Sequence, residues 1–158
     1  MLRKLSELTG QLKLKRAVAN LTAIREQYAL RNVSTKGWCQ RLVRIACEGP
    51  GANDYHWLTV KGVGLRVPHT ASAIEAAKVM AEHHAEIGWT QLHNLETMPA
   101  GAYAMIYLSG SGGFGHVLIA RWTGKGRVCV VNDSNGVYPM SAQQMKRIYS
   151  AWMPVDKP

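Results

Sequence analysis

No stretch of the 158 residues approaches the roughly 20 consecutive apolar positions that a membrane-spanning helix requires. The opening residues, MLRKLSELTGQL, interrupt their leucines with charge and so lack the apolar centre of a signal peptide, which predicts synthesis in a cytoplasm. Cysteine is scarce. Cys39, Cys47 and Cys129 are an odd set with no CxxC pair, which argues against a disulfide framework and a zinc finger and leaves at least one thiol free. No HExxH occurs, and the adjacent His83 and His84 would diverge by about 100° on a helix, so together with His56, His69 and His93 they predict no metal site. Acidic residues are also few, 10 against 19 Lys and Arg, giving a formal charge of +9. Such a chain is attracted to anionic material, whether nucleic acid, membrane surface or wall polymer. No nucleic-acid motif accompanies the charge. In the first 33 residues Arg3, Lys4, Lys13, Lys15, Arg16, Arg25 and Arg31 stand against Glu7 and Glu26 without interleaved aromatics, the pattern of a solvated helical face. No repeat, low-complexity tract or linker divides the chain.

What is present is the material of one α+β domain. With 47% hydrophobic and 18% charged residues, the composition is that of a compact fold spanning 1–158. Leu5, Leu8 and Leu12, then Leu14, Ala17, Leu21, Ile24 and Tyr28, recur at helical spacing and predict one or two basic amphipathic helices over residues 1–33, with a break near Gly10. WCQRLVRIACE reads as a helix stopped by GPG at 49–51, with Trp38, Leu42, Ile45 and Ala46 on one face. Residues 52–69 predict a loop with one short strand in WLTVKGVGLRV. A capping box, Ser72 with Glu75, opens a helix whose buried stripe is Ile74, Ala77, Val79 and Met80. Three β-rich runs at 102–108, 115–122 and 127–133 predict an antiparallel meander, and a second capping box, Ser141 with Gln144, predicts a closing helix, SAQQMKRIYSAW. Helices, then sheet, then one helix is the order of an α+β fold.

Three residues of this plan could meet. Cys39 falls in the first turn of its helix, where the positive end of the dipole favours thiolate over thiol. A sulfur nucleophile also needs a base within reach and a third group to orient that base. His116, at the junction of the glycine-rich loop SGSGGFG and an apolar strand, is the expected base. If a hairpin forms at Gly124–Gly126, Asp133 comes near the His116 end of the neighbouring strand. Strand alternation sets Cys129, Val131 and Asp133 on one face and Asn132 on the other, with Asn135 a second polar group beside Asp133. Cys47, two helical turns beyond Cys39, and Cys129, in a strand interior, are expected to be core thiols. Trp38, Trp57 and Trp89 are candidates either for a groove or for the core.

A cysteine at a helix start, MPAGAYAMIYL from Met98, GHVLIARW from Gly115, and Asp133 with Asn135 resemble, in that order, the papain-related CHAP amidohydrolases and peptidases and their NlpC-type relatives. The resemblance covers roughly residues 34–138, leaving 139–158 as closing helix and tail. Gly101-Ala102 stands where members commonly carry Gly-Asp, and Asp133 where glutamate or asparagine is more common. The resemblance implies a papain-like fold and a hydrolase of bacterial peptidoglycan, an amidase or endopeptidase of the kind found among phage lysins and virion-associated lytic enzymes. It implies Cys39 as nucleophile, His116 as acid and base, Asp133 or Asn135 as orienter, and substrate contacts at Trp38, Gln40 and Gly115. The backbone N–H of Cys39 is the expected oxyanion donor, with Gln40 or a side chain preceding Cys39 as the second candidate. No cofactor, metal or obligatory nucleic acid is implied. A monomer is expected, drawn to anionic envelope polymers by its charge and acting at the cell wall. Two other readings stay open: an inactive papain-like binding or virion module, and a basic nucleic-acid-binding domain.

Overall fold

The structure, a computed structural model, describes residues 9–110, 113–123 and 129–156. Three helices come first: α1 (Gly10–Leu30), α2 (Cys39–Glu48) and α3 (Ala73–Ile87). Strands β1 (Trp89–Gln91), β2 (Tyr103–Leu108), β3 (His116–Trp122), β4 (Cys129–Asp133) and β5 (Gly136–Pro139) follow, then a short helix α4 (Ala142–Lys146) and β6 (Ile148–Pro154). The six strands form one antiparallel sheet in the order β1-β6-β2-β3-β4-β5. The architecture is therefore α+β. No helix among the described residues is long and apolar enough to cross a membrane.

Both faces of the sheet are covered, which explains why β2 and β3 read as apolar runs rather than alternating ones. Met105, Tyr107, Val117 and Ile119 face the three helices, meeting Leu14, Leu21, Ile24 and Tyr28 of α1 and Leu42, Ile45 and Ala46 of α2. Ala104, Ile106, Leu118, Ala120, Cys129 and Val131 point the other way, under Met98 and the partly buried Leu95, Tyr138 and Met140. The expected helical stripe of α1 is buried from Leu14 through Tyr28. Its start is sharp: Thr9 caps Leu12 N–H, and Gly10 lies so near the end of β6 that a Cβ there would be 2.6 Å from the Cβ of Pro154. Leu5 and Leu8 lie outside the described residues.

Several expectations need correction. No strand forms among residues 57–67; the segment runs as an irregular strap whose Val63, Leu65 and Val67 are buried. It is held by α2 instead of by a neighbouring strand. Val63 N–H donates to Cys47 O at 2.9 Å, Val67 N–H donates to a Glu48 carboxylate oxygen at 2.8 Å, and Gly62 fits only without a Cβ, which would sit 2.5 Å from Glu48 O. In α3 the Ser72–Glu75 cap forms, but the fully buried residues are Ala73, Ala76, Ala77 and Met80, with Ile74 and Val79 half-buried.

The closing helix is the largest departure. Its capping box holds, yet α4 ends after five residues, and Ile148 onward becomes β6, paired with both β1 and β2. Ile148, Tyr149 and Trp152 are strand-favouring side chains, and the open edge of β2 gives them ladder partners that a further helical turn would forgo. The predicted meander is β2-β3-β4, while β1 and β5 were not expected. The connection at Gly124–Gly126 falls outside the described residues.

Candidate active site

The N-terminus of α2 is built by a pinned turn. Thr35 Oγ1 donates to Ser134 O at 2.7 Å, Trp38 N–H donates to Thr35 O at 3.1 Å, and Gly37 takes φ +82°, a conformation that disfavours any side chain. Trp38 is the N-cap and offers no side-chain acceptor to the helix. Cys39 is thus the first helical residue, half-buried, with first-turn N–H groups left facing it. Burial pushes its thiol up. The hydrogen bond and positive charge of His116 act in the opposite direction, joined by the backbone N–H groups of Val117 and Gln40, and the net result is a thiol held below its ordinary range.

His116 opens β3. Continuing the register that pairs Ile119 with Asn132 by one step sets Asp133 opposite Leu118, diagonal to His116 on the same face. The ring uses that proximity: Nε2 lies 2.7 Å from Asp133 Oδ2, leaving Nδ1 for Cys39. Burial would lower the imidazole, but Asp133 and then Cys39, by hydrogen bond and charge, raise it to about 9. Thiolate and imidazolium therefore stabilise one another.

Asp133 is wholly buried and its acceptor sites are filled. Besides His116, Oδ2 accepts from Tyr138 Oη, and Oδ1 accepts from Asn135 N–H at 2.8 Å. Gln144 Nε2 donates to Tyr138 Oη at 3.1 Å, so the capping box of α4 buttresses the carboxylate at one remove. Asn132 points away toward α1, as alternation requires, and Arg25 donates to its Oδ1 at 2.5 Å and to Asp133 O at 2.7 Å. Tyr138 and Arg25 escaped sequence reasoning. A two-residue turn at Ser134–Asn135 in DSNG would have returned the chain along β4 and set Tyr138 beside Val131, a signal that was readable. Arg25 had no such signal, since the contact depends on how α1 lies across the sheet.

Cys39 and His116 line an open cleft of about 570 Å³ between the starts of α2 and α3 and the loop before β3, with Asp133 buried behind them. Trp38, Gly115 and Asn135 line it as well. Gly115 has a structural duty too: it takes φ +69°, and a Cβ there would lie 2.9 Å from Leu108 O and 3.2 Å from Ile74 N. Gln40 also lines the cleft; its buried side-chain amide donates to Pro68 O at 2.8 Å, and its backbone N–H serves Cys39. Trp89 is core, its indole N–H on Arg66 O, and Trp57 stacks on Tyr55 with ring centroids 4.7 Å apart. Trp38 belongs to both settings, stacked along Tyr55 while lining the cleft. Cys47 and Cys129 are buried, and burial pushes their thiols up to about 12 and about 11. His69 pairs with Glu48 and His84 with Trp89 O.

Comparison with protein families, curated proteins and solved structures finds no match to this chain, so the site is interpreted from its own geometry.

Proposed function

We propose that this chain is a papain-like cysteine amidohydrolase or peptidase, with bacterial peptidoglycan as its substrate. The observation that carries the reading is the continuous chain from the Cys39 sulfur through the His116 ring to buried Asp133, opening on a cleft. A thiolate in a helix's first turn, coupled to an imidazole whose far nitrogen is fixed by a carboxylate, has the parts that acyl transfer needs. The thiolate attacks the amide carbonyl carbon, forming a C–S bond and an oxyanion. Backbone N–H groups at the start of α2, that of Cys39 foremost, stabilise that charge. As the intermediate collapses, the C–N bond breaks and His116 gives its proton to the leaving amine. Water then attacks the thioester with His116 as base, and the thiolate leaves.

Peptidoglycan as substrate rests on the order of motifs from Cys39 through GHVLIARW to Asp133, and on the charge of +9, which favours an anionic envelope. The test is turbidity loss of purified peptidoglycan with Cys39→Ala and His116→Ala beside the unaltered chain. Lysis by the parent, lost in both variants while their circular dichroism is unchanged, supports the reading; lysis retained in either removes the mechanism. Wall adsorption should weaken with added salt, because an exposed net charge is screened over about 8 Å at physiological ionic strength.

A further inference from the structure

The cleft is charged in one direction. None of the residues lining it is acidic, while Lys36 and Arg41 line it beside His116. The two cations are not equivalent. Arg41 is committed: its guanidinium donates to Asp54 Oδ1 at 3.0 Å and to Asn53 O at 2.7 Å, and lies 4.6 Å from the Trp38 ring centroid. Asp54 is shared with Arg44, so one carboxylate offsets one of the two charges while holding both guanidinium groups in place. Lys36 is exposed and has no carboxylate partner among the described residues. The turn that carries it is nevertheless fixed, through Thr35 to Ser134 and through Lys36 N–H to Ser34 Oγ at 3.1 Å. The same cleft carries an exposed apolar side chain. Phe114, the only phenylalanine in the chain, stands 73% exposed on the cleft's rim, its carbonyl accepting from Ile74 N–H at 3.0 Å and positive-φ glycines on either side. A ligand in this cleft therefore meets both a cation without a carboxylate partner among the described residues and an exposed hydrocarbon ring.

We infer that the cleft selects acyl substrates bearing a free carboxylate near the scissile amide, read by Lys36, with the substrate's apolar part against Phe114. The inference rests on Cys39 being the nucleophile, and it adds a substrate class: anionic peptides in preference to neutral or amidated ones. Placing the carboxylate at Lys36 and the apolar part at Phe114 fixes the direction in which a peptide lies.

The test uses the thiolate itself as reporter, so its outcome does not depend on hydrolysis. Iodoacetate and iodoacetamide alkylate Cys39 by the same step: sulfur displaces iodide, the C–S bond forming as the C–I bond breaks. They differ only in the carboxylate. In the full chain, Lys36→Gln should lower the iodoacetate-to-iodoacetamide rate ratio by about fivefold, the scale of one solvent-exposed charge contact. Lys36→Glu should lower it further, and Lys36→Arg should restore it. Lys78→Gln, which removes the same charge from the exposed side of α3, should leave the ratio unchanged. A ratio unaffected at Lys36, or lowered equally at Lys78, overturns the inference. Peptides ending in a free carboxylate should be cut faster than their carboxamides, and Lys36→Gln should erase that preference. If the alkylation ratio responds to Lys36 while no peptide or peptidoglycan is cut, anion selection stands and the hydrolase reading fails.

Discussion

Helix α2 carries two cysteines, Cys39 at its first position and Cys47 in its last turn, and their chemistry diverges. Cys39 sits at the positive end of the helix dipole, half open to the cleft, with His116 and two backbone N–H groups directed at its sulfur. Cys47 sits at the negative end, fully buried beside Glu48, and burial followed by that charge pushes its thiol up to about 12. One residue type on one helix becomes an anion at one end and an inert apolar group at the other. Surroundings, not the presence of sulfur, set reactivity.

The largest expected effect lies in that contrast. Near pH 7, iodoacetamide should modify Cys39 at least about 10³-fold faster than Cys47 and at least about 10²-fold faster than Cys129, because only the thiolate reacts and each unit of pKa changes its fraction tenfold. Mass spectrometry of tryptic peptides reads the selectivity, and guanidinium should abolish it. Equal labelling of Cys39 and Cys47 in the folded chain would refute the assigned environments.

Next in size is Asp133→Asn, which keeps the shape of the orienter and removes its charge. The buried carboxylate is what raises His116, so the variant should lower the imidazole's pKa and draw the alkaline limb of the pH–rate profile toward neutrality. Turnover on peptidoglycan should fall by roughly 10² to 10⁴-fold, because an amide can present its NH2 to His116 and favour the wrong tautomer. A variant within threefold of the parent at every pH would show that Asp133 only packs.

His116→Ala comes third. Without the cation, the Cys39 thiolate loses its partner, and alkylation of Cys39 at pH 6.5 should slow by about tenfold or more while Cys47 stays inert. Stability carries the same signature. Because the folded pKa of His116 is raised to about 9 from 6.5, its contribution is fully present below about 6.5 and is lost as pH rises through about 9. The melting temperature of the parent should decline across that window more steeply than that of the variant. Parallel curves would mean that the pair adds nothing to the fold.

How much of this was legible follows the same division between local and distant causes. Cys39 at a helix start, the Ser72 cap, the β2-β3-β4 meander and the Asp133–Asn132 alternation are set by neighbours a few residues away, and each is readable from spacing. Residues 148–154 have both helical spacing and strand-favouring side chains, and the decision belongs to β1 and β2, whose free edges are known only once the sheet exists. The Val63–Val67 strap is similar: its partners include a carbonyl and a carboxylate at the end of α2 and the indole N–H of Trp89. The anchor of the Gln40 side chain is of the same kind, since only the fold brings Pro68 to its amide.

The smallest expected effect settles a point that spacing left open, whether Asp133 or Asn135 orients His116. In the fold they cooperate, but through different atoms. Asp133 presents a carboxylate oxygen to the ring, while Asn135 presents its backbone N–H to the other oxygen of the same carboxylate, its exposed side chain reaching only the cleft. Truncating that side chain leaves the backbone donor in place, and the Ser134–Asn135 turn does not depend on an amide. Asn135→Ala should therefore change turnover by less than about threefold, with the pH profile unmoved, since hydrogen bonds made by the main chain survive a side-chain substitution. Asn135→Pro provides the contrast: it removes the N–H from Asp133 and should cost far more, both in stability and in rate. If Asn135→Ala proves as damaging as Asp133→Asn, with the alkaline limb displaced in the same direction, the side chain orients the imidazole during turnover and the contact at Asp133 belongs to the resting site alone.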